Sequence, residues 1–142
     1  MVEIRERNPK LRLAINILIT IAFLGTLAFF AWNLVAHNLE AQRLQREIRI
    51  LQEDHELKHR EYVIQENNFK KRRSQMSSKE MVETSLNLQQ LDQSLKVLSE
   101  NLTNRMNALE SEQDQMRRSI YGLIFTVVGY AVVMWINYII NY

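Results

Sequence analysis

Two uninterrupted apolar blocks, residues 13–36 and 119–142, bracket a stretch in which apolar side chains return only every three or four positions. Neither block contains Asp, Glu, Lys, Arg or His, and each is 24 residues long. At about 1.5 Å per helical residue, either one crosses a hydrocarbon layer of roughly 30 Å. Lipid offers backbone amides and carbonyls no partner, so a segment that enters it must be helical. The pattern therefore predicts transmembrane helices over 13–36 and 119–142, preceded by a basic tail over 1–12.

Between the blocks, residues 37–118 are polar with a repeating apolar stripe. Met81, Leu88, Leu95, Leu102, Leu109 and Met116 form a seven-residue series, with Thr84, Leu91 and Leu98 interleaved. Heptad spacing of this kind marks a helix whose apolar seam faces another helix. The seam reaches Arg105 and Glu112, so it weakens toward the second block. Earlier in the chain the series is Leu34, Ala41, Ile48, His55, Tyr62, Phe69, with Leu44 and Leu51 interleaved. From Leu57 onward, Val63 and Ile64 broaden that stripe. The two series differ in phase, which one continuous coil would not allow.

A break is therefore needed, although residues 37–118 contain neither Gly nor Pro. Ser77-Ser78-Lys79-Glu80 has the capping-box pattern that starts a helix, and Met76 and Met81 stand where a hydrophobic staple requires them. Lys70-Lys71-Arg72-Arg73 supplies cations where the preceding helix dipole favours them. The predicted architecture is an all-α integral membrane protein. Its two transmembrane helices are joined by an antiparallel extramembrane hairpin of coiled-coil type, with arm 1 over 37–73, a turn over 74–77 and arm 2 over 78–118. The arms are nearly equal, each about 55 Å, so both termini are expected on one side of the membrane.

Composition narrows the functional classes. Lys and Arg balance Asp and Glu to a net charge of +2, too small to imply nucleic acid. The absence of cysteine excludes disulfides and thiolate metal sites. Arg5, Arg7, Lys10 and Arg12 give the first block a basic leader like that of a signal peptide. The block is about twice as long as the apolar region of such a peptide, and Leu34 stands where cleavage before His37 would want a small residue. The first block is read as an uncleaved anchor. Four cations before it favour an inward N-terminus, while Arg117 and Arg118 favour an inward hairpin. Because the first span usually dominates, the reading places the termini on the cytoplasmic or matrix side.

Within the spans, Ala22, Gly25, Thr26 and Ala28 make a small-residue patch, matched by Gly122, Thr126 and Gly129 on the second. Such patches let helices approach closely in lipid. Asn16, Asn33 and Asn137 are amides able to bond across helices or line a pore. Trp32, Tyr121, Trp135, Tyr138 and Tyr142 fit interfacial belts.

One pattern points to chemistry. His55-Glu56-Leu57-Lys58-His59 resembles the H-E-x-x-H motif of zinc-dependent metalloproteases, which implies two histidine ligands and a glutamate base. A third ligand and a closed pocket are also required, and the five residues read equally as polar positions around Leu57 on a solvated helix. The expectation is no enzyme, no metal and no cofactor.

The favoured function is a non-enzymatic, membrane-anchored coiled-coil scaffold or accessory subunit. Its expected interface residues are Leu88, Leu91, Leu95, Leu98, Leu102, Leu109, Gly122, Thr126 and Gly129, with Lys70, Lys71, Arg72 and Arg73 a docking point at the tip. Its expected partners are the lipid bilayer and other helical membrane subunits or further copies, with neither nucleic acid nor a small-molecule substrate. A hairpin between two spans also resembles the arrangement in membrane insertases of the YidC type and related tail-anchor receptors. That resemblance implies a docking receptor or insertion factor, but the chain lacks the third core span and the charged groove of those proteins. A small oligomeric pore or lysis-type protein is the third class.

Overall fold

The computed structural model describes residues 9–141 and contains two long helices, α1 (Pro9–Arg72) and α2 (Ser78–Asn141). Arg5, Arg7 and Tyr142, which the sequence reading assigns to the basic leader and the aromatic belt, lie outside the described residues. Each helix runs on through the junction between its apolar block and its polar arm without a break.

The chain reverses between the helices. A single 3-10 turn, Arg73–Gln75, follows Arg72, whose φ is −98° and ψ −5°, and extended Met76, at φ −86° and ψ 143°, leads into α2. None of the described residues other than glycine has a positive φ. The reversal thus uses only conformations open to every L-residue, so no glycine is needed there.

The capping box is formed. Glu80 N donates to Ser77 Oγ at 3.4 Å, while Ser77 N and Ser77 Oγ both donate to Glu80 Oε2 at 2.9 Å. The first α-type bond of α2 runs from Met81 N to Ser77 O at 3.0 Å. Met76 and Met81 are both half-buried beside this start. The hydrogen bond from the Ser77 amide, followed by that from its hydroxyl, holds the Glu80 carboxyl below its usual pKa. A lowered folded-state value means that this contribution is fully present above the unfolded glutamate pKa of about 4.3 and is lost as pH falls through the folded value. The protection factors of the amides at residues 77–81, which divide out the intrinsic pH dependence of exchange, are therefore expected to fall as the pH drops from the unfolded glutamate value through the lower folded one. In Glu80→Gln that step should disappear, because the amide keeps a hydrogen-bond acceptor but has no proton to gain. A step of unchanged size in the variant would assign the acid sensitivity to another group.

The helices form two compact units, one from the chain's outer segments up to Leu39 and from Gln113 onward, the other Glu40–Glu112. Within the outer unit the helices pack antiparallel, as the pairing of Asn16 with Asn137 and of Thr20 with Tyr130 requires. Within the inner unit Arg105 Nε reaches Glu47 Oε2 at 3.2 Å, again pairing early with late positions. Single-helix ion pairs at i,i+4, among them Lys58–Asp54, Arg60–Glu56 and Lys96–Asp92, support the arms individually. Each such pair contributes about 0.3–0.5 kcal/mol, so tertiary packing has to do most of the holding.

Candidate functional site

In the inner unit the predicted seam is the inward face of both arms. Ala41, Leu44, Ile48 and Leu98 are buried. His55, Tyr62 and Phe69 on α1 are half-buried, as are Met81, Leu88, Leu91, Leu95, Leu102 and Leu109 on α2. The stripe on α1 does not broaden as the sequence suggests, because Leu57 and Ile64 are 64% and 60% exposed. Both stand two residues beyond the seam positions His55 and Tyr62. Two residues advance a helix by about 200°, which turns them to the far side.

The polar interruption at Arg105 has a structural account that the sequence does not supply. Its guanidinium crosses to Glu47, which also accepts from Arg43 Nε at 3.1 Å on its own helix. With Arg105 half-exposed, the cross-pair is worth no more than about 1 kcal/mol. Its larger effect is on register, since a slip by one turn would separate the two charges.

In the outer unit the polar side chains are turned inward. Asn137 Nδ2 donates to Asn16 Oδ1 at 2.8 Å. One turn further along α1, the Thr20 and Tyr130 hydroxyls lie 3.4 Å apart, and Phe23 stacks on the Tyr130 ring with centroids at 4.0 Å. Both asparagines are visible in the sequence as candidate bonding amides. Tyr130, a ring with a hydroxyl in the middle of the second block, was missed, and its position away from either block end was the available signal. Asn137→Leu is expected to cost about 1 kcal/mol of helix association, within the range found for such bonds between apolar helices. Adding Asn16→Leu should cost little more, and fully additive losses in equilibrium unfolding of the chain would show that the two amides act separately.

The small-residue patches do not meet each other. Gly122 is the glycine at the contact, where an added Cβ would stand 2.3 Å from Phe30 Cε1. Gly25 and Gly129 have nothing within 4 Å of such an atom. Ala22, Thr26 and Ala28 are exposed, and the Thr26 hydroxyl donates to its own helix at Ala22 O, 2.8 Å away. Thr126 is half-buried and donates likewise to Gly122 O at 2.7 Å. The match read from composition therefore reduces to one glycine receiving one aromatic ring.

The H-E-x-x-H residues lie on one turn of α1, with the His55 and His59 rings 6.3 Å apart. Glu56 faces Arg60 at 3.6 Å, and both side chains are exposed. Among the described residues no group of three His, Asp or Glu side chains is placed to hold a metal ion. At the tip, Lys71, Arg72 and Arg73 are exposed, while Lys70 Nζ contacts Glu66 Oε1 at 2.7 Å. That hydrogen bond and the Glu66 charge raise the Lys70 pKa.

The chain is thus an all-helical protein built on a helical hairpin, with a segment in each helix long and apolar enough to cross a membrane. No family model, curated protein or solved structure matches it.

Proposed function

We propose that this chain is a two-pass, membrane-anchored scaffold or accessory subunit, whose hairpin presents helical surfaces to other membrane proteins and which catalyses nothing itself. The observation that carries this reading is the inverted polarity of the outer unit. In the most apolar stretches of α1 and α2, 0% and 6% of the residues are buried, whereas Asn16, Asn137, Thr20 and Tyr130 face one another between the helices. A core helix of a water-soluble protein hides its apolar face; these helices expose Phe125, Trp32 and Leu18, each by more than two-thirds. Such a surface suits lipid, and the exposed Trp32, Tyr121, Trp135 and Tyr138 suit its interfaces. The mutual bonding of Asn16 and Asn137 supports a scaffold over a pore, because amides spent on each other do not line water.

The chain has no cysteine of its own, so single cysteines report cleanly on topology. In sealed membranes, Lys10→Cys is expected to react with an impermeant maleimide from one side and Gln75→Cys from the other, with the protein resisting alkaline extraction. Release by alkali, or labelling of both positions from the same side, would overturn the two-pass reading. For the scaffold reading itself, the protein in mild detergent should migrate well above the mass of one chain. Migration as a single chain would overturn it.

A further inference from the structure

The inner unit is packed unevenly along its length. Three of its four buried apolar side chains, Ala41, Leu44 and Ile48, lie in the first turns of arm 1. Toward the turn the seam residues Tyr62, Phe69, Met81 and Leu88 are only half-buried. There an open groove of about 450 Å³ runs between the helices, lined by Phe69 of α1, Arg73 of the turn and Met81, Val82, Ser85 and Leu86 of α2. Val82 and Leu86 are 71% and 53% exposed and stand four residues apart, so they form one ridge beside the groove.

The groove's electrostatics are one-sided. Residues 69–83 hold five cations, Lys70, Lys71, Arg72, Arg73 and Lys79, against the two carboxylates Glu80 and Glu83. Glu80 is committed to the cap on Ser77. Lys70 is committed to Glu66, which leaves the exposed Lys71, Arg72, Arg73 and Lys79 against the exposed Glu83 as the charge next to the apolar ridge.

We propose that this distal groove receives an acidic amphipathic helix of a partner protein, an inference that rests on the scaffold reading and names the partner's chemistry. A third helix laid along Val82 and Leu86 would bury the ridge and complete the half-covered seam around Phe69 and Met81, as helix-in-groove recognition does. Its acidic residues would meet Arg72 and Arg73 at the groove's end. A lipid surface fits less well. The residues that would touch it end-on, Lys71 to Gln75, are all polar, and the apolar ridge lies along the side of α2 instead. A second copy would bring the same cations against these, which Coulomb repulsion opposes.

The test is photo-crosslinking of the full chain in its own membrane, with benzoyl-phenylalanine in place of Val82 and, as a control, of exposed Gln93. Position 82 is expected to give one protein adduct that position 93 does not. Mass spectrometry should map it to a segment with apolar residues at helical spacing and net negative charge. Arg72→Glu with Arg73→Glu should lower its yield roughly tenfold, the loss of about 1.4 kcal/mol of attraction. Leu86→Glu, at an exposed position that does not threaten folding, should lower it similarly with all cations intact. Adducts with lipid alone, with a second copy alone, with a basic or non-helical segment, or with nothing would each overturn the inference. If one of these occurs while the protein still migrates as a large complex in mild detergent, the scaffold reading survives and only the groove assignment fails. A chain that migrates alone removes both.

Discussion

Leu44→Asp is expected to unfold the inner hairpin, whereas the same change at Leu57, thirteen residues further along α1, leaves it folded. Leu44 is 4% exposed and Leu57 64% exposed, although both are leucines on one helix and the sequence pattern alone ranks them poorly. Truncation of a buried leucine costs about 2–5 kcal/mol, and an unpaired carboxylate in its place adds desolvation. The inner unit has only four buried apolar residues to oppose that loss. Far-ultraviolet circular dichroism and amide exchange across residues 40–112 should both register the collapse for Leu44→Asp and a near-parental profile for Leu57→Asp. Equal effects at the two positions would contradict the assignment of the inward face. A loss of partner binding in Leu57→Asp without unfolding would show that this outer leucine is covered in the assembled protein.

The second large effect concerns Gly122. A methyl group there would stand 2.3, 2.5 and 2.7 Å from three atoms of the Phe30 ring, far inside van der Waals contact. The ring must therefore swing off α2 or the helices must part, at a cost of about 1–3 kcal/mol. Gly129→Ala is the control, since nothing lies within 4 Å of its added carbon and alanine favours the helix by about 1 kcal/mol. Gly122→Ala is thus expected to weaken helix association, and Gly129→Ala to leave it unchanged while favouring α2 itself. Phe30→Ala makes room for the methyl group, so the double variant Phe30→Ala, Gly122→Ala should be less destabilised than the two single losses predict. Strict additivity in a fluorescence-transfer assay between labels on the two helices would remove Phe30 from the contact.

What could be read from the residues follows from short-range chemistry. The charge-free blocks are contiguous runs, the heptad series and the Ser77–Glu80 cap relate positions at most seven apart, and a helix turns these into a span, a face or an end without reference to the rest of the chain. The turn read at residues 74–77, the apolar face through Leu98 and the bonding potential of the Asn16 and Asn137 amides are relations of this kind. Non-local pairing is not. Which small-residue patch meets a neighbour, where Arg105 finds Glu47, and that Phe30 seats on Gly122 depend on the rotation of each helix about its axis and on the axial register between α1 and α2. Those two variables are set jointly by all the side chains packed across a pair. The stripe on one helix states that it has an inward side, and only the folded pair decides which atoms of the other helix lie against it.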